Sequence, residues 1–477
     1  MAAPDSKSAL PKELAGKRIA ILGVAREGLA TARWLIECGA VPAVCDRLPQ
    51  SELGPAYEEL SALGVSDWRL GEDYLDGLME SGKPVFDVVF RTPLLPANDT
   101  RLAEARAAGV TVTSHIKLFF ELCPAPVVGV TGTKGKGTTA GLLHEMLKAA
   151  GRQSFLGGNI GRPPLEFLGK LKADSVVVLE LSSFQLEDLE QSPHIAIVTN
   201  VTADHLDRHE SVEEYRAAKR PILAYQGADD LAILNQDDSG TKALSEFAAG
   251  RLAWFSIRRP VSDGAYVDDP GPDGTLQLAF GDDPGEICRT DDLVVPGPHN
   301  RANALAASVA AAAVGVPRDA MRTAIKNYRG LPYHLEFVGE HSGVKFFNDS
   351  YATNQTATIP AVESFEQPLV LILGGQGKGL EYDDLAAKIL ERNVRGIVTM
   401  PPEGEKIEAA LINLAEHVGK PVPDVQPITK PEEIVPAAVK LAEPGDVVLF
   451  SPAATSFNWF ESYTKRGEFF TQAVQAL

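Results

Sequence analysis

The sequence has few cysteines and no long apolar run. Its four cysteines, Cys38, Cys45, Cys123 and Cys288, include no CxxC pair, so neither a zinc ribbon nor a disulfide framework is indicated. No apolar stretch approaches the roughly 18–20 residues that a membrane-spanning helix needs. The N-terminal segment also lacks the apolar core of a signal peptide. We therefore expect a cytoplasmic protein that does not bind membranes.

Positive charge is also scarce. The 477 residues include 45 lysines and arginines against 64 aspartates and glutamates, which gives a formal net charge of −19. Such a surface repels nucleic acid and anionic membranes, so neither is an expected partner. An anionic ligand would have to be held by a local cluster of donors. The chain is long enough for about two to four domains.

Strand-like and helix-like segments alternate along most of the chain. Residues 18–46 predict a strand, a helix and a second strand, joined by a turn at 23–28. Similar units recur later and predict an α/β protein with mostly parallel sheets, whose ligand groups lie at the carboxyl ends of the strands. The turn at 23–28 lacks the middle glycine of the dinucleotide fingerprint, which argues against a dehydrogenase.

The most informative local pattern is GTKGKGTT, residues 132–139. It follows an apolar strand and precedes a helix, an arrangement that directs backbone N–H groups at a phosphate. Lys136 would then reach the transferred phosphate. Gly137 stands where a serine or threonine usually follows this lysine. The alternative is an ordinary strand-to-helix turn, which two consecutive Gly-Lys pairs flanked by threonines disfavour.

The local sequence pattern supports a functional role to different degrees at four further residues. Glu180 ends an almost wholly apolar strand, where a carboxylate needs a cation or a metal unless solvent reaches it. His205 follows another apolar strand and could bind a metal through its neutral imidazole. Asp46 ends the second strand and could contact a ribose or cap a helix, and the pattern leaves both open. Lys219 lies in a helical stretch, and no local pattern distinguishes it.

The order of the motifs is more specific than any one of them. The loop and GGNIGRP (157–163), LELSSFQLE (179–187), NVTADHLDRH (200–209) and YRAAK (215–219) are followed by GPHNRANALAA (297–307), NDSYATN (348–354), LGGQGKG (373–379) and SPAATSF (451–457). Over nearly its whole length the chain resembles the Mur ligase family. Within that family it looks most like the ligases that join glutamate to UDP-N-acetylmuramoyl-L-alanine.

The resemblance implies three domains and one reaction. Residues 1–114 would form a Rossmann-like domain for the UDP substrate, 115–329 a central ATP-binding domain with a P-loop ATPase-like parallel sheet, and 330–477 a Rossmann-like domain for glutamate. The substrate carboxylate would attack the γ-phosphate of ATP, and the amine of glutamate would attack the resulting acyl phosphate. The implied ligands are ATP, Mg²⁺, UDP-N-acetylmuramoyl-L-alanine and glutamate, bound to a protein that we expect to be a monomer.

The resemblance also implies roles for individual residues. The implied catalytic residues are Lys136, Glu180, His205 and Lys219, the last as an N6-carboxylated lysine. The implied metal ligands are Thr138, Glu180, His205 and Lys219. The implied ATP contacts are Gly132, Thr133, Lys134, Gly135, Lys136, Gly137, Thr138, Thr139, Asn300, Asn303, His334 and Asp349. The implied contacts of the UDP substrate are Asp46, Arg47 and Asn159, and those of glutamate are Tyr351, Thr353, Lys378, Ser456 and Tyr463.

Four positions depart from the family pattern. Besides Gly137, His334 stands where an arginine is usual, Tyr351 where a lysine is usual and Gln376 where an aspartate is usual. Tyr351 and Gln376 lie in loops expected to surround the amino acid, and enantiomers differ only in where their groups point. These changes favour the branch that adds L-glutamate, and the ordinary D-glutamate-adding ligase is the alternative.

Two remoter alternatives belong to other classes. A ligase like the folylpolyglutamate synthases would share the ATP-binding core, but the strand-helix-strand unit before the loop favours a UDP-sugar substrate. A catalytically degenerate nucleotide-binding scaffold would agree with Gly137 and His334. It is disfavoured because a decayed site would be expected to lose some of Lys136, Glu180, His205 and Lys219.

Overall fold

The computed structural model describes residues 10–202, 211–269, 271, 273–377 and 381–477. They form two compact units. The first comprises described residues within Met1–Tyr266, Gln277–Gly285 and Leu305–Ala320, and the second those within Val267–Leu276, Glu286–Ala304 and Met321–Leu477. The domain boundaries expected at residues 114 and 329 stay a prediction.

The first sheet is formed early in the chain. The strands up to residue 114 are β1 Ile19–Leu22, β2 Ala43–Asp46, β3 Trp68–Leu70, β4 Met79–Glu80, β5 Lys83–Pro84, β6 Val88–Arg91 and β7 Thr111–Ser114. The helices are α1 Arg26–Glu37, α2 Gln50–Leu53, α3 Pro55–Ala62, α4 Thr100–Ala107 and α5 His115–Leu122. Five strands form a parallel sheet in the order β3-β2-β1-β6-β7, and β4 and β5 form a separate antiparallel pair.

A larger parallel sheet follows. Its region of the chain contains β8 Val127–Thr131, β9 Ser154–Gly158, β10 Val176–Glu180, β11 Ile195–Val198, β12 Leu231–Asn235, β13 Arg251–Ser256, β14 Gly264–Val267, β15 Thr275–Ala279 and β16 Gly285–Arg289. The helices are α6 Lys136–Ala149, α7 Ser183–Leu186, α8 Val212–Lys219, α9 Pro221–Ala224, α10 Ser239–Leu244, α11 Pro298–Ala313 and α12 Arg318–Asn327. Strands β8 to β14 lie in the order β14-β13-β12-β11-β8-β10-β9, and all neighbours are parallel.

The second compact unit contains a further sheet. Its strands are β17 Glu336–His341, β18 Val344–Asn348, β19 Leu369–Gly374, β20 Val394–Met400, β21 Asp424–Pro427 and β22 Val447–Phe450. Its helices are α13 Gln355–Glu363, α14 Asp383–Glu391, α15 Glu403–Val418, α16 Ile434–Leu441 and α17 Tyr463–Gln475. The strand order is β17-β18-β22-β19-β20-β21, and only β17 pairs antiparallel with its neighbour.

The central strands are buried along their whole length. All five residues of β8, all five of β10 and all six of β19 are buried. Parallel sheets are covered by helices on both faces, so their strands are continuous apolar runs rather than alternating ones. The predicted α/β class with parallel sheets is confirmed. None of the helices formed by the described residues is long and apolar enough to cross a lipid bilayer.

Candidate active site

The loop between β8 and α6 is shaped by two glycines. Gly132 has φ of +147°, and a Cβ at this position would lie 1.9 Å from Thr199 Oγ1. Gly135 has φ of +82°, in the left-handed region, and α6 begins at the next residue, Lys136. Both conformations favour glycine. The loop therefore presents the first N–H groups of α6 at the carboxyl end of β8, as an anion site requires.

Residues that follow β11 hold this loop in place. The Thr133 N–H donates to the Asn200 carbonyl at 2.8 Å, and the Lys134 N–H donates to the Asn200 side-chain oxygen at 2.8 Å. The Thr199 hydroxyl donates to the Lys134 carbonyl at 2.6 Å. The Thr133 hydroxyl donates to the Thr202 carbonyl at 3.1 Å. Sequence reasoning did not single out Thr199 or Asn200, although their polar side chains directly follow an apolar strand.

The side chains of the loop differ in how far they are covered. The Lys136 ammonium donates to the carbonyls of Gly132 at 2.9 Å and Thr133 at 3.0 Å. These two carbonyls hold the ammonium at the loop, where its positive charge can also attract a phosphate. Thr139 is fully buried, whereas Thr138 is half-buried on the first turn of α6. Of the two threonines, Thr138 is therefore better placed to supply the hydroxyl that Gly137 lacks.

Glu180 lies at the end of β10, the strand next to β8. Its side chain is only 3% exposed, and its Oε1 accepts a hydrogen bond from Asn159 Nδ2 at 3.3 Å. Burial raises the pKa of this carboxyl, while Lys136, the Asn159 hydrogen bond, Arg26 and Lys219 lower the pKa in part. Ionised carboxylates are costly to bury unless a cation is near. The site therefore favours a bound cation such as a metal ion.

Lys219 ends α8 and is only 1% exposed. Its Nζ lies 4.4 Å from the centroid of the Tyr215 ring and donates to the Gly132 carbonyl at 3.4 Å. The Tyr215 hydroxyl donates to Thr133 Oγ1 at 3.3 Å, so both residues of α8 contact the loop. Lys219 also attracts the Glu180 carboxylate. The fold thus brings Lys219 to the loop, although its local sequence pattern is that of a surface lysine.

Two predicted site residues lie outside the described residues. His205 falls in the segment 203–210, and Lys378 falls in 378–380. Within the ranges that the structure describes, no group of three or more His, Cys, Asp or Glu side chains could hold a metal ion. The full set of metal ligands therefore stays a prediction, and among its described members Glu180 and Lys219 interact electrostatically.

Asp46 organises the turn that precedes α1. Its Oδ2 accepts a hydrogen bond from Val24 N at 2.8 Å, and its Oδ1 accepts one from Leu48 N at 2.9 Å. Both carboxylate oxygens thus have a structural role. Each can still accept a further hydrogen bond. A contact of Asp46, or of the exposed Arg47, with the UDP substrate stays a prediction.

The first residues of α1 contact β9 and α7, which belong to the region of the larger sheet. Arg26 Nη2 donates to the Gly158 carbonyl at 2.6 Å. Next to it, Glu27 Oε1 accepts a hydrogen bond from Gln185 Nε2. Sequence reasoning missed both contacts. The sequence signal for these contacts was that two charged residues directly follow Ala25, which stands where a dinucleotide-binding protein would have a glycine.

In the second compact unit, Asp349 follows β18 and is buried. Its Oδ1 accepts a hydrogen bond from Leu335 N at 3.0 Å, and its Oδ2 accepts one from the Ser451 hydroxyl at 2.7 Å. Burial raises the pKa of this carboxyl to about 7, although both hydrogen bonds and the Arg466 charge act in the opposite direction. The environment therefore stabilises a protonated or hydrogen-bonded carboxyl group.

Three aromatic residues of the predicted ATP and glutamate sites lie together in this unit. His334 stacks on Tyr351 with ring centroids 4.0 Å apart, and Tyr351 meets Tyr463 edge-on at 5.2 Å. Burial lowers the pKa of His334 to about 4, so its ring is neutral at pH 7. A neutral imidazole can stack on a ring or accept a hydrogen bond. It does not neutralise a phosphate as an arginine would.

The remaining predicted residues of this unit lie on α11 and at strand ends. Asn300 and Asn303 are buried, and the Asn303 amide donates to Asn300 Oδ1 at 3.2 Å. Gln376, after β19, exchanges backbone hydrogen bonds of 2.9 and 3.0 Å with Thr455. Ser456, which follows, is buried, and Thr353 is half-buried. Their roles in binding ATP and glutamate stay predictions.

Comparison with known proteins identifies relatives along the chain. A family model described as the Mur ligase middle domain matches residues 130–311, and one described as the Mur ligase glutamate ligase domain matches residues 335–454. The UDP-N-acetylmuramoylalanine–D-glutamate ligase of Acetivibrio thermocellus is 38% identical over 98% of this chain and 98% of its own length. The enzyme of the same name from Symbiobacterium thermophilum is 37% identical over 97% of this chain and 98% of its own length.

Solved structures of similar fold are more distant in sequence. The UDP-N-acetylmuramate–alanine ligase MurC of Thermotoga maritima aligns with a TM-score of 0.56 and 18% identity, covering 96% of this chain and 99% of its own. MurF of Acinetobacter baumannii aligns with a TM-score of 0.58 and 19% identity, covering 79% of this chain and 88% of its own. These likenesses concern the fold.

Proposed function

The chain belongs to the Mur ligase family, and we propose that it joins glutamate to UDP-N-acetylmuramoylalanine. As a family member it is an ATP-dependent ligase that forms an amide bond in peptidoglycan synthesis. The observation that carries the proposal is that the loop 132–139 and Glu180 lie at the carboxyl ends of neighbouring strands, and that the buried Lys219 reaches the same loop from α8. The names of the relatives supply the two substrates. ATP and UDP-linked sugars are available in the cytoplasm, where we expect this reaction to occur.

The chemistry requires a carboxylate to be activated before an amine can attack it. ATP and Mg²⁺ would supply the phosphoryl group and part of the positive charge for that activation. The N–H groups at the start of α6 and the Lys136 ammonium would hold the phosphates and offset the charge that develops on them. The buried Glu180 carboxylate is the described residue best suited to hold Mg²⁺. By the family resemblance, His205 and Lys219 would complete the metal site.

We further propose that Lys219 carries a carboxyl group on Nζ. Carbon dioxide adds to a neutral amine with loss of a proton, which converts a potential cation into an anion. The side chain is only 1% exposed, and burial disfavours an ammonium ion. The Glu180 carboxylate beside it provides a second oxygen ligand for a metal. This arrangement favours a metal ion held by Glu180 and a carboxylated Lys219 over a lysine that keeps its positive charge.

The proposal also specifies which enantiomer of glutamate is the substrate. Eight relatives that are 34–38% identical to this chain are named for D-glutamate. This favours D-glutamate over the L-glutamate that Tyr351 and Gln376 favoured on sequence alone. L-glutamate is the second candidate because Tyr351, in place of a cation, is 49% exposed and stacks on His334.

A direct assay tests both the ligase reaction and the choice of glutamate enantiomer. Purified protein would be supplied with ATP, Mg²⁺ and UDP-N-acetylmuramoyl-L-alanine, together with D- or L-glutamate in separate reactions. We expect phosphate release and a product one glutamate heavier by mass spectrometry with D-glutamate. Turnover with L-glutamate alone would contradict the D-enantiomer. Phosphate release that needs neither the nucleotide sugar nor glutamate would contradict the ligase proposal itself.

A further inference from the structure

The start of α1 carries an arginine to which the roles above assign no function. Arg26 is the first residue of α1, and its side chain is exposed. Its Nη2 donates to the Gly158 carbonyl at 2.6 Å. Among the described residues this is the one hydrogen-bond partner of the guanidinium, which has five N–H donors. Most of its donor capacity is therefore available to a ligand.

The contact with Gly158 places Arg26 beside the reacting centre. Gly158 ends β9 and pairs with Glu180 on the neighbouring strand. The next residue, Asn159, donates its N–H to the Glu180 carbonyl at 2.8 Å and its side-chain amide to the Glu180 carboxylate at 3.3 Å. The charge of Arg26 is also close enough to lower the pKa of the Glu180 carboxyl against the effect of burial.

The proposed reaction needs a cation at this place. The protein carries a formal net charge of −19, so it does not attract anionic substrates through its overall field. Among the described residues, Lys136, Arg26 and Lys219 carry the positive charges that lower the pKa of the Glu180 carboxyl. Lys136 belongs to the phosphate loop, and Lys219 would become an anion when carboxylated. Of these three described cations, Arg26 then remains for the second anion, the carboxylate that must approach the γ-phosphate.

We propose that Arg26 binds the reacting carboxylate of the nucleotide-sugar substrate and orients it toward the γ-phosphate. The inference rests on the proposed function. A planar guanidinium matches a carboxylate with two parallel N–H···O bonds, which fixes direction as well as position. The hydrogen bond to Gly158 restrains the side chain before the substrate arrives. The diphosphate of the same substrate is the other anion that an arginine could hold, and the test separates the two.

The test compares two ligands that differ only at the carboxylate. Isothermal calorimetry would measure binding of UDP-N-acetylmuramoyl-L-alanine and of its alaninamide, in which a neutral carboxamide replaces the carboxylate. We expect the wild-type chain to bind the acid about 10- to 100-fold more tightly than the amide, as for a charge-assisted pair. Arg26→Gln should weaken binding of the acid by that factor, leave binding of the amide unchanged and so remove the difference.

Two further variants keep the result interpretable. Arg26→Lys retains the charge but not the planar pair of donors, so it should keep only part of the wild-type preference for the acid. The same variant replaces Arg26→Gln in the test if Arg26→Gln does not fold stably. Arg33→Gln removes one charge from the same helix. Arg33 pairs with Glu59 and lies 3.7 Å from Glu166, and its variant should keep the full preference.

Three outcomes would overturn the inference. Equal weakening of both ligands by Arg26→Gln would assign the side chain to the diphosphate. Unchanged binding of both ligands would leave Arg26 no role in holding the substrate. If the wild-type chain does not bind UDP-N-acetylmuramoyl-L-alanine at all, the proposed function fails and this inference fails with it.

Discussion

The imidazole of His334 stacks on the phenol ring of Tyr351, with ring centroids 4.0 Å apart and an interplanar angle of 27°. The resemblance to the Mur ligases leads us to expect an arginine and a lysine at these two positions. This chain instead has two planar rings there, of which one is a neutral imidazole. Such a pair is more rigid and contributes no fixed charge to the binding of phosphate or of the amino acid.

The stacked pair predicts an acidic titration for His334. Burial lowers the pKa of its imidazole from 6.5 to about 4. Between these two pH values the folded protein binds fewer protons at this residue than the unfolded chain, so this residue makes stability rise with pH across the window. NMR of ring-labelled histidine, assigned with His334→Gln, should show a midpoint near pH 4. Tyr351→Ala should raise it toward 6.5, and a wild-type midpoint near 6.5 would contradict the burial of the ring.

Gly132→Ala should remove most ATP-dependent turnover. The added Cβ would lie 1.9 Å from Thr199 Oγ1 and 3.1 Å from the Asn200 backbone, at a φ of +147° that alanine disfavours. Strain of about 1–3 kcal/mol at such a position corresponds to a loss of roughly 5- to 150-fold. Phosphate release measures the effect. Gly227→Ala is the control, because its Cβ would meet only Asp230 Oδ2 at 3.8 Å. Similar activity of the two variants would argue against the loop as the phosphate site.

Lys219→Ala should lower turnover by on the order of 100-fold, because a ligand-bearing side chain is lost from the metal site. Acetate or formate should restore part of the activity by placing a carboxylate in the space that the side chain leaves. In the wild-type chain, ¹³C-bicarbonate should give a carbamate signal by ¹³C NMR. Lys148→Ala, which removes an exposed lysine paired with Glu145, is the control. Full activity of Lys219→Ala, or no carbamate signal, would count against carboxylation.

The Arg91 guanidinium holds together two parts of the first compact unit. It is 1% exposed and lies 3.0 Å from Glu187 and 2.8 Å from Asp188. It also donates to the Phe184 carbonyl at 3.1 Å. Arg91 ends β6, and its partners lie in and just after α7, which follows the strand that carries Glu180. The ion pairs thus join the end of the first sheet to the turn beside the candidate active site.

Arg91→Met should destabilise the protein by about 3–5 kcal/mol, because it removes a buried cation that pairs with two largely buried carboxylates. Urea unfolding followed by circular dichroism measures the loss. Arg101→Gln is the control, because Arg101 and Asp76 form an exposed pair at 3.4 Å, for which at most about 1 kcal/mol is expected. Equal midpoints for the two variants would show that the Arg91 ion pairs contribute little.

Much of the fold follows from local pattern. The strand-loop-helix unit around Lys136 was predicted from the apolar strand, the glycines and the helix that follows, and it forms as β8 and α6. Glu180 was noticed because a carboxylate ends an apolar run, and it is buried. These features depend on residues close in sequence, for which periodicity and turn chemistry are sufficient.

Contacts between distant segments were not predictable in the same way. Arg26 contacts Gly158, 132 residues away, and Lys219 contacts Gly132, 87 residues away. An arginine in a turn and a lysine on a polar helix resemble solvated surface residues when only their neighbours are considered. Their positions depend on which strands adjoin and on how α1 and α8 pack, which the local sequence does not specify.

By itself, the sequence determined the α/β class, the phosphate loop and, through the order of its motifs, the resemblance to the Mur ligases. The tertiary structure decided that β8 lies between β10 and β11, so that the loop is held by Thr199 and Asn200 on one side and faces Glu180 on the other. It also decided that Lys219 and Arg26 reach that site. The physical reason is that helix and strand formation depends on local periodicity, whereas burial and charge pairing depend on which distant segments pack together.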